Sequence, residues 1–173
     1  NDKIKQWGWY APDRSNPTQP WRFVPVTEKA EFNHYYHGEG VGDINGDGRA
    51  DLVLNEGWWE QPPKGTPPGT LWKKHPFTFS QDRGGAQILI ADVNGDGRND
   101  VITAMNAHGW GLSWFEQKRD AAGAITFVEH RLMGSASPPP MCARHSAWRV
   151  KASCRFKWAA AMSRGWRIFA VAS

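Results

Sequence analysis

Short apolar runs alternate with polar, glycine-rich and proline-rich segments through the first 134 residues of the chain. The runs DLVLN (51–55) and DVITAM (100–105) are rich in Val, Ile and Leu, and WRFVPVT (21–27) combines aromatic with β-branched residues. Pro-Gly and Asp-Gly dipeptides separate these runs, and no apolar period of 3.6 residues is sustained. The pattern therefore predicts an all-β fold.

The apolar runs also recur in a fixed order. DINGDGRADLVL begins at Asp43, and DVNGDGRNDVIT begins 49 residues later at Asp92. WRFVPVT is matched by WKKHPFT (72–78) and FVEHRLM (127–133), while GWWEQP (57–62) is matched by LSWFEQ (112–117). We place repeat units at about 21–71 and 72–124, with a third unit starting at 125. Units of roughly 40 to 50 residues with four short strands are typical of β-propeller blades, because radial packing protects the sheet edges.

Oxygen-bearing side chains recur at fixed positions in the two acidic loops. With the first aspartate as position 1, side-chain oxygens occupy positions 1, 3, 5 and 9, and a backbone carbonyl can serve at position 7. The candidate metal ligands are Asp43, Asn45, Asp47, the carbonyl of Arg49 and Asp51 in the first loop, and Asp92, Asn94, Asp96, the carbonyl of Arg98 and Asp100 in the second.

Three carboxylates within nine residues repel one another unless a cation lies among them, and a set of oxygen ligands favours Ca²⁺ over Zn²⁺. The sequence therefore predicts two calcium-binding loops. They differ from an EF-hand, because Leu54 and Thr103 occupy the position of its bidentate glutamate and a strand follows in place of a helix. The alternative interpretation is a pair of Asp-Gly hairpin turns whose carboxylates are solvated and hold no ion.

Composition changes abruptly after Gly134. Residues 1–134 hold 14 Lys and Arg against all 17 Asp and Glu, whereas residues 135–173 hold 7 Lys and Arg and lack Asp, Glu, Asn and Gln. Both cysteines, Cys142 and Cys154, lie in this basic tail, without a histidine at zinc-like spacing. We interpret the tail as an out-of-frame translation or a disordered segment; the competing interpretations are a basic extension that contacts nucleic acid through Arg and Trp, and a structural tail.

The segments GDINGDGRADLVLNEGWWEQP and ADVNGDGRNDVITAMNAHGWGLSWFEQ resemble the FG-GAP/VCBS repeats of secreted bacterial propellers. The resemblance covers about residues 20–134. It implies a calcium-braced β-propeller outside the cytoplasm, extracellular or periplasmic, of which this chain is an incomplete fragment of two to three blades. The missing blades of its own full-length chain would then be an expected partner. The sequence begins NDKIKQWGWY without a basic-then-apolar leader, so we expect that a signal peptide was either removed already or never part of this sequence. No apolar run approaches the ~20 residues of a membrane span, and nucleic acid is not an expected partner.

Two function classes follow. The first is a non-enzymatic binding or scaffold module for carbohydrate or protein, which the repeat resemblance favours. The second is an enzyme, because HGEGVGDINGDG, GWWEQP and AHGWGLSWFEQ are also similar to the propeller of aldos-2-ulose dehydratase/isomerase proteins, which are metal-dependent sugar lyases. In that case His37 or His108 would be a general base or a metal ligand. His34, His75 and His130 are weaker candidates, and the alternative interpretation is that His37 and His108 are ordinary loop residues.

Overall fold

The computed structural model describes residues 4–31, 36–81, 84–107 and 109–134, together with the backbone of residues 168–169. These residues form eleven β-strands and no helix, and every paired strand is antiparallel to its neighbour. The prediction of an all-β fold is therefore confirmed. The described residues accordingly offer no helix long and apolar enough to cross a membrane.

The strands divide between two compact units, with β1, β2 and β11 in one and β3 to β10 in the other. Their bounds are β1 Gly8–Ala11, β2 Arg22–Pro25, β3 Gly40–Gly42, β4 Asp51–Leu54, β5 Gly57–Glu60, β6 Lys73–Pro76, β7 Ile88–Ala91, β8 Asp100–Ala104, β9 Leu112–Arg119, β10 Ile125–Met133 and β11 Ile168–Phe169.

The smaller unit is a three-stranded sheet in the order β11-β1-β2. Trp7 and Val26 are buried beside it, and the Thr27 hydroxyl accepts a hydrogen bond from the backbone N–H of Trp7 at 3.0 Å. Strand β11 pairs with β1 through its backbone, but the remainder of residues 135–173 lies outside the described residues. The interpretation of the tail as out-of-frame or disordered therefore stays a prediction.

The larger unit contains two four-stranded meanders, which we call the first sheet (β3-β4-β5-β6) and the second sheet (β7-β8-β9-β10). Apolar side chains from both sheets and from the β6–β7 connection form one core, because each sheet buries one apolar face against the other. The buried members of this core are Ile44, Val53, Trp58, Phe79, Ile88, Val101, Phe115 and Phe127. The described residues contain no closed sheet, so the propeller stays a proposal.

The sheets are offset from the sequence repeats by one strand. WKKHPFT, which opens the second repeat unit, supplies β6, the last strand of the first sheet. FVEHRLM, assigned to the start of a third unit, likewise lies in β10, which pairs with β9 as the last strand of the second sheet. A sequence repeat starts where a motif recurs, whereas a sheet ends where hydrogen bonding between strands stops.

Three strand pairs share one register. Trp58 lies opposite His75 in β5 and β6, Trp114 lies opposite His130 in β9 and β10, and Trp9 lies opposite Val24 in β1 and β2. The β1–β2 pair therefore places a tryptophan opposite its partner strand in the same way as the last two strands of each four-stranded sheet.

Candidate functional site

The two acidic loops connect equivalent strands, because residues 43–50 join β3 to β4 and residues 92–99 join β7 to β8. They lie beside each other at one end of the two sheets. The Asn99 side-chain amide, in the second loop, donates to the carbonyl of Asp43 in the first at 2.7 Å. The structure thus brings all ten predicted ligand residues to the same end of the larger unit.

The position 1 aspartate organises each loop by accepting three backbone N–H groups. Asp43 Oδ1 accepts from Gly46 and Asp47 at 2.7 and 3.0 Å, and Oδ2 accepts from Gly48 at 2.8 Å. The second loop repeats these bonds from Gly95, Asp96 and Gly97 to Asp92, at 2.8, 3.1 and 3.0 Å. Each carboxylate therefore lies at the centre of its loop.

Positive backbone dihedrals make this wrap possible. The φ angles of Gly46 and Gly48 are 79° and 81°, and those of Gly95 and Gly97 are 78° and 82°. Only glycine adopts this region without a steric penalty from Cβ, so the Asn-Gly-Asp-Gly order is a conformational requirement of the loop.

The position 9 aspartates are fully buried and connect each loop to its sheet. Asp51 accepts the backbone N–H groups of Ile44 and Gln61, both at 2.9 Å. Burial raises the pKa of Asp51 to about 6, and the charges of Asp47 and Asp43 add to the rise, although the two N–H bonds oppose it. Asp100 is bonded in the same way, to Val93 and Gln117 at 3.1 and 2.8 Å.

An arginine side chain lies against the position 5 carboxylate in both loops. Asp47 Oδ1 accepts the backbone N–H of Arg49 at 2.9 Å, and its Oδ2 accepts from Asn45 Nδ2 at 2.7 Å and from the Arg49 guanidinium. Arg98 and Asp96 repeat this ion pair. The sequence pattern indicated only the backbone carbonyls of these arginines as ligands, although an arginine two residues after an aspartate in both copies could have indicated the ion pair.

The loop residues offer the oxygen ligands that Ca²⁺ prefers, but their carboxylates are not clustered closely enough to form a metal site. Among the described residues, no three His, Cys, Asp or Glu side chains form a group that could hold a metal ion. A carboxylate offers about four acceptor positions, and Asp43 uses three of them for backbone N–H groups. Asp51 uses two, so both residues keep acceptor capacity for a cation.

Three side chains from the second loop and from β9 donate hydrogen bonds to backbone carbonyls of the first loop, a contact that the sequence did not predict. The carbonyls of three successive loop residues each accept one of them: Asp43 from Asn99 at 2.7 Å, Ile44 from Gln117 at 2.9 Å, and Asn45 from Arg119 at 2.7 Å. Gln117 is fully buried and also donates to the Asn99 carbonyl at 2.7 Å. We call Asn99, Gln117 and Arg119 the carbonyl clamp.

Substitution of Gln117 by alanine should lower the free energy of unfolding by about 2 kcal/mol, because two carbonyls lose a buried donor. The matched control is Gln61→Ala, since Gln61 has the equivalent place in the first sheet but its side chain makes no hydrogen bond within the described residues. That change should cost less than about 0.5 kcal/mol. Urea denaturation measures both, and equal losses in the two variants would contradict the clamp.

The histidine candidates divide into two groups. His37 is half-buried beside Glu39, whose carboxyl is partly buried and has its pKa raised by that burial. Next to it, the Tyr36 hydroxyl donates to the Glu56 carboxylate, and burial, followed by this bond, raises the pKa of Tyr36. His34 and His108 lie outside the described residues, so the pairing of His37 with His108 stays a prediction.

His75 and His130 have equivalent structural contacts. His75 stacks on Trp58 at a centroid distance of 3.9 Å and its Nε2 lies 2.9 Å from Glu60. His130 stacks on Trp114 at 4.5 Å and its Nε2 lies 3.0 Å from Glu116. A histidine that lies between an aromatic ring and a carboxylate thus recurs in two equivalent strand pairs, and cross-strand contacts of this kind stabilise a sheet.

No protein-family model, curated protein or solved structure matches the chain. Its function must therefore be inferred from the geometry of the described residues and from the sequence pattern.

Proposed function

We propose that the chain is an extracellular calcium-binding β-propeller repeat module with a binding or scaffold role toward carbohydrate or protein. The single observation that carries the proposal is that the position 1 and position 9 aspartates make corresponding hydrogen bonds in two loops 49 residues apart, each loop being centred on an aspartate and closed by a fully buried one. In each loop the arginine neutralises only the carboxylate at position 5, whereas Ca²⁺ would compensate the negative charge of the other carboxylates as well.

The carboxylate repulsion explains why a cation would be favoured. Asp51 is buried near Asp43 and Asp47, and both neighbours raise its pKa. Ca²⁺ coordinated by Asp43, Asn45, Asp47, the Arg49 carbonyl and Asp51, or by their equivalents Asp92, Asn94, Asp96, Arg98 and Asp100, would relieve this repulsion. Calcium binding would have to break the ion pair between the arginine and the position 5 carboxylate in each loop, which lowers the affinity. We therefore expect a dissociation constant of roughly 10⁻⁴ to 10⁻³ M, the range of extracellular calcium modules.

Calcium is expected to raise the thermal midpoint of the protein over that in EGTA. At ten times the dissociation constant each site contributes about 1.4 kcal/mol, which for two sites corresponds to several degrees in a chain of this size. The measurement is a circular dichroism melt in Ca²⁺, in EGTA and in Mg²⁺, and Mg²⁺ should give a smaller rise because it requires stricter octahedral geometry.

The double variant Asp47→Asn with Asp96→Asn should lose the calcium response, since both loops lose a charged ligand that lies outside the buried core. Asp120→Asn is the matched control, because Asp120 also accepts two backbone N–H groups in a turn, at 2.8 and 2.9 Å, but lies outside both acidic loops. An unchanged midpoint in calcium, or an equal rise in the double variant, would contradict the proposal.

A further inference from the structure

Both acidic loops contain an Asn-Gly pair, Asn45-Gly46 in the first loop and Asn94-Gly95 in the second, and the sequence has no other. The side-chain carbonyl carbon of an asparagine can be attacked by the backbone nitrogen of the next residue, which expels ammonia and closes a succinimide ring. Glycine is the most permissive second residue, because no Cβ shields its nitrogen. Water then opens the ring, and the asparagine becomes an aspartate or an isoaspartate.

The first loop places a base beside the attacking nitrogen. The nitrogen of Gly46 must lose its proton, and its N–H donates to Asp43 Oδ1 at 2.7 Å. A carboxylate within hydrogen-bond distance of the departing proton is correctly placed for a general base. In addition, the N–H of Asp47 donates to Asn45 Oδ1 at 3.1 Å, which makes the attacked carbon more electrophilic. Gly46 is exposed, so water reaches the same peptide group.

The guanidinium of Arg119 contacts the same peptide group. Its Nη2 donates at 2.7 Å to the carbonyl of Asn45, which belongs to the peptide group that contains the Gly46 nitrogen. A Cβ added to Gly46 would lie 3.8 Å from this guanidinium nitrogen. When the peptide nitrogen loses its proton, the carbonyl oxygen shares the negative charge, so a cationic donor at that oxygen stabilises the anion.

The second loop contains the base but not the arginine. The N–H of Gly95 donates to Asp92 Oδ1 at 2.8 Å, whereas within the described residues no side chain donates to the carbonyl of Asn94. The Asn94 side-chain nitrogen donates to Glu116 at 3.0 Å in addition to its bond within the loop, a restraint that has no counterpart at the first loop in the described part of the chain. The two Asn-Gly pairs therefore share a sequence but differ in the groups that assist the reaction.

We propose that Asn45 is a self-modification site, with Asp43 as the general base and Arg119 as the donor that stabilises the peptide anion. The Gly46 nitrogen gives its proton to Asp43 and forms a bond to Cγ of Asn45. The bond between Cγ and Nδ2 breaks, and Nδ2 leaves as ammonia after the proton reaches it from Asp43 through water. Water then cleaves either bond from the ring nitrogen to a carbonyl carbon, which gives aspartate or isoaspartate at position 3. Asn94 reacts more slowly.

The two products change the first loop in different ways. Aspartate adds a fourth carboxylate to those of Asp43, Asp47 and Asp51. Isoaspartate adds a methylene group to the backbone, which moves the N–H groups that follow it away from Asp43. Neither product requires a bound cation, so the reaction is separate from the calcium proposal.

The test is to incubate the full chain in EGTA at physiological pH and temperature and to follow deamidation by mass spectrometry of tryptic peptides. Trypsin places the two loops in separate peptides, residues 30–49 and 84–98, and fragment ions locate the change within each peptide. Asn45 should deamidate at least about tenfold faster than Asn94, the effect of one charge-assisted hydrogen bond on a rate.

Substitution of Arg119 tests the role of the donor. Arg119→Met should slow the reaction at Asn45 to about the rate at Asn94, whereas Arg119→Lys should keep most of the rate because it retains a cationic donor. Arg119 is exposed, so neither change removes a buried side chain. Arg131→Met is the matched control, because Arg131 is also an exposed strand arginine and pairs with Glu129, away from both loops. It should leave both rates unchanged.

Equal rates at Asn45 and Asn94 in the unmodified chain would overturn the proposal. An unchanged or faster reaction at Asn45 in Arg119→Met would overturn it as well, because it would show that Arg119 restrains the loop and does not assist the attack. Because all rates are measured in EGTA, a failure of the calcium proposal does not affect them.

Discussion

Replacement of Phe79 by alanine is expected to lower the free energy of unfolding by about 3 to 5 kcal/mol, the range for deleting a buried aromatic side chain. Phe79 is fully buried in the shared core, where its ring lies 4.8 Å from that of Phe77, 5.3 Å from Phe115 and 5.0 Å from Phe127. These neighbours come from three different parts of the chain and cannot all move in to fill the cavity.

Urea denaturation measures the loss. Phe79→Leu should cost less than the alanine variant because it leaves a smaller cavity, and Leu89→Ala, at a half-exposed strand position, should change stability by less than about 1 kcal/mol. A loss below about 1 kcal/mol for Phe79→Ala would mean that the two sheets do not share a core.

Substitution of Asp100 by alanine should have the second largest effect, about 3 kcal/mol, because two backbone N–H groups lose a fully buried acceptor. Asp100 is 0% exposed and binds the N–H groups of Val93 and Gln117. Removal of the carboxylate therefore breaks the hydrogen-bonded link between Val93 in the second loop and Gln117 in β9. The effect should be present in EGTA, because it depends on hydrogen bonds that exist without calcium.

Asp120→Ala provides the control for burial. Asp120 accepts the N–H groups of Ala122 and Ala124 at 2.9 and 2.8 Å, but it is exposed, so water can replace the carboxylate. Its loss should cost less than about 1 kcal/mol. Equal losses for Asp100→Ala and Asp120→Ala in urea denaturation would show that burial does not determine the role of Asp100.

The sequence predicted the features that depend on local chemistry. Asn-Gly-Asp-Gly requires positive φ at both glycines, which fixes the turn, and the alternation of apolar runs with turns determines the all-β fold. The ten candidate ligand positions were predicted from spacing alone, because the residues that share a loop are adjacent in the chain. Whether the loops hold Ca²⁺ stays a proposal.

Tertiary structure decided what each repeated residue contacts. Trp58 and Trp114 are equivalent in sequence, but only Trp58 is buried, because only the first sheet has the second sheet over that face. Gln61 and Gln117 are likewise equivalent, yet of the two side chains only that of Gln117 reaches a loop carbonyl among the described residues, 73 positions away in the chain. Sequence periodicity determines which residues share a face of a sheet, whereas burial and hydrogen bonding depend on what lies against that face.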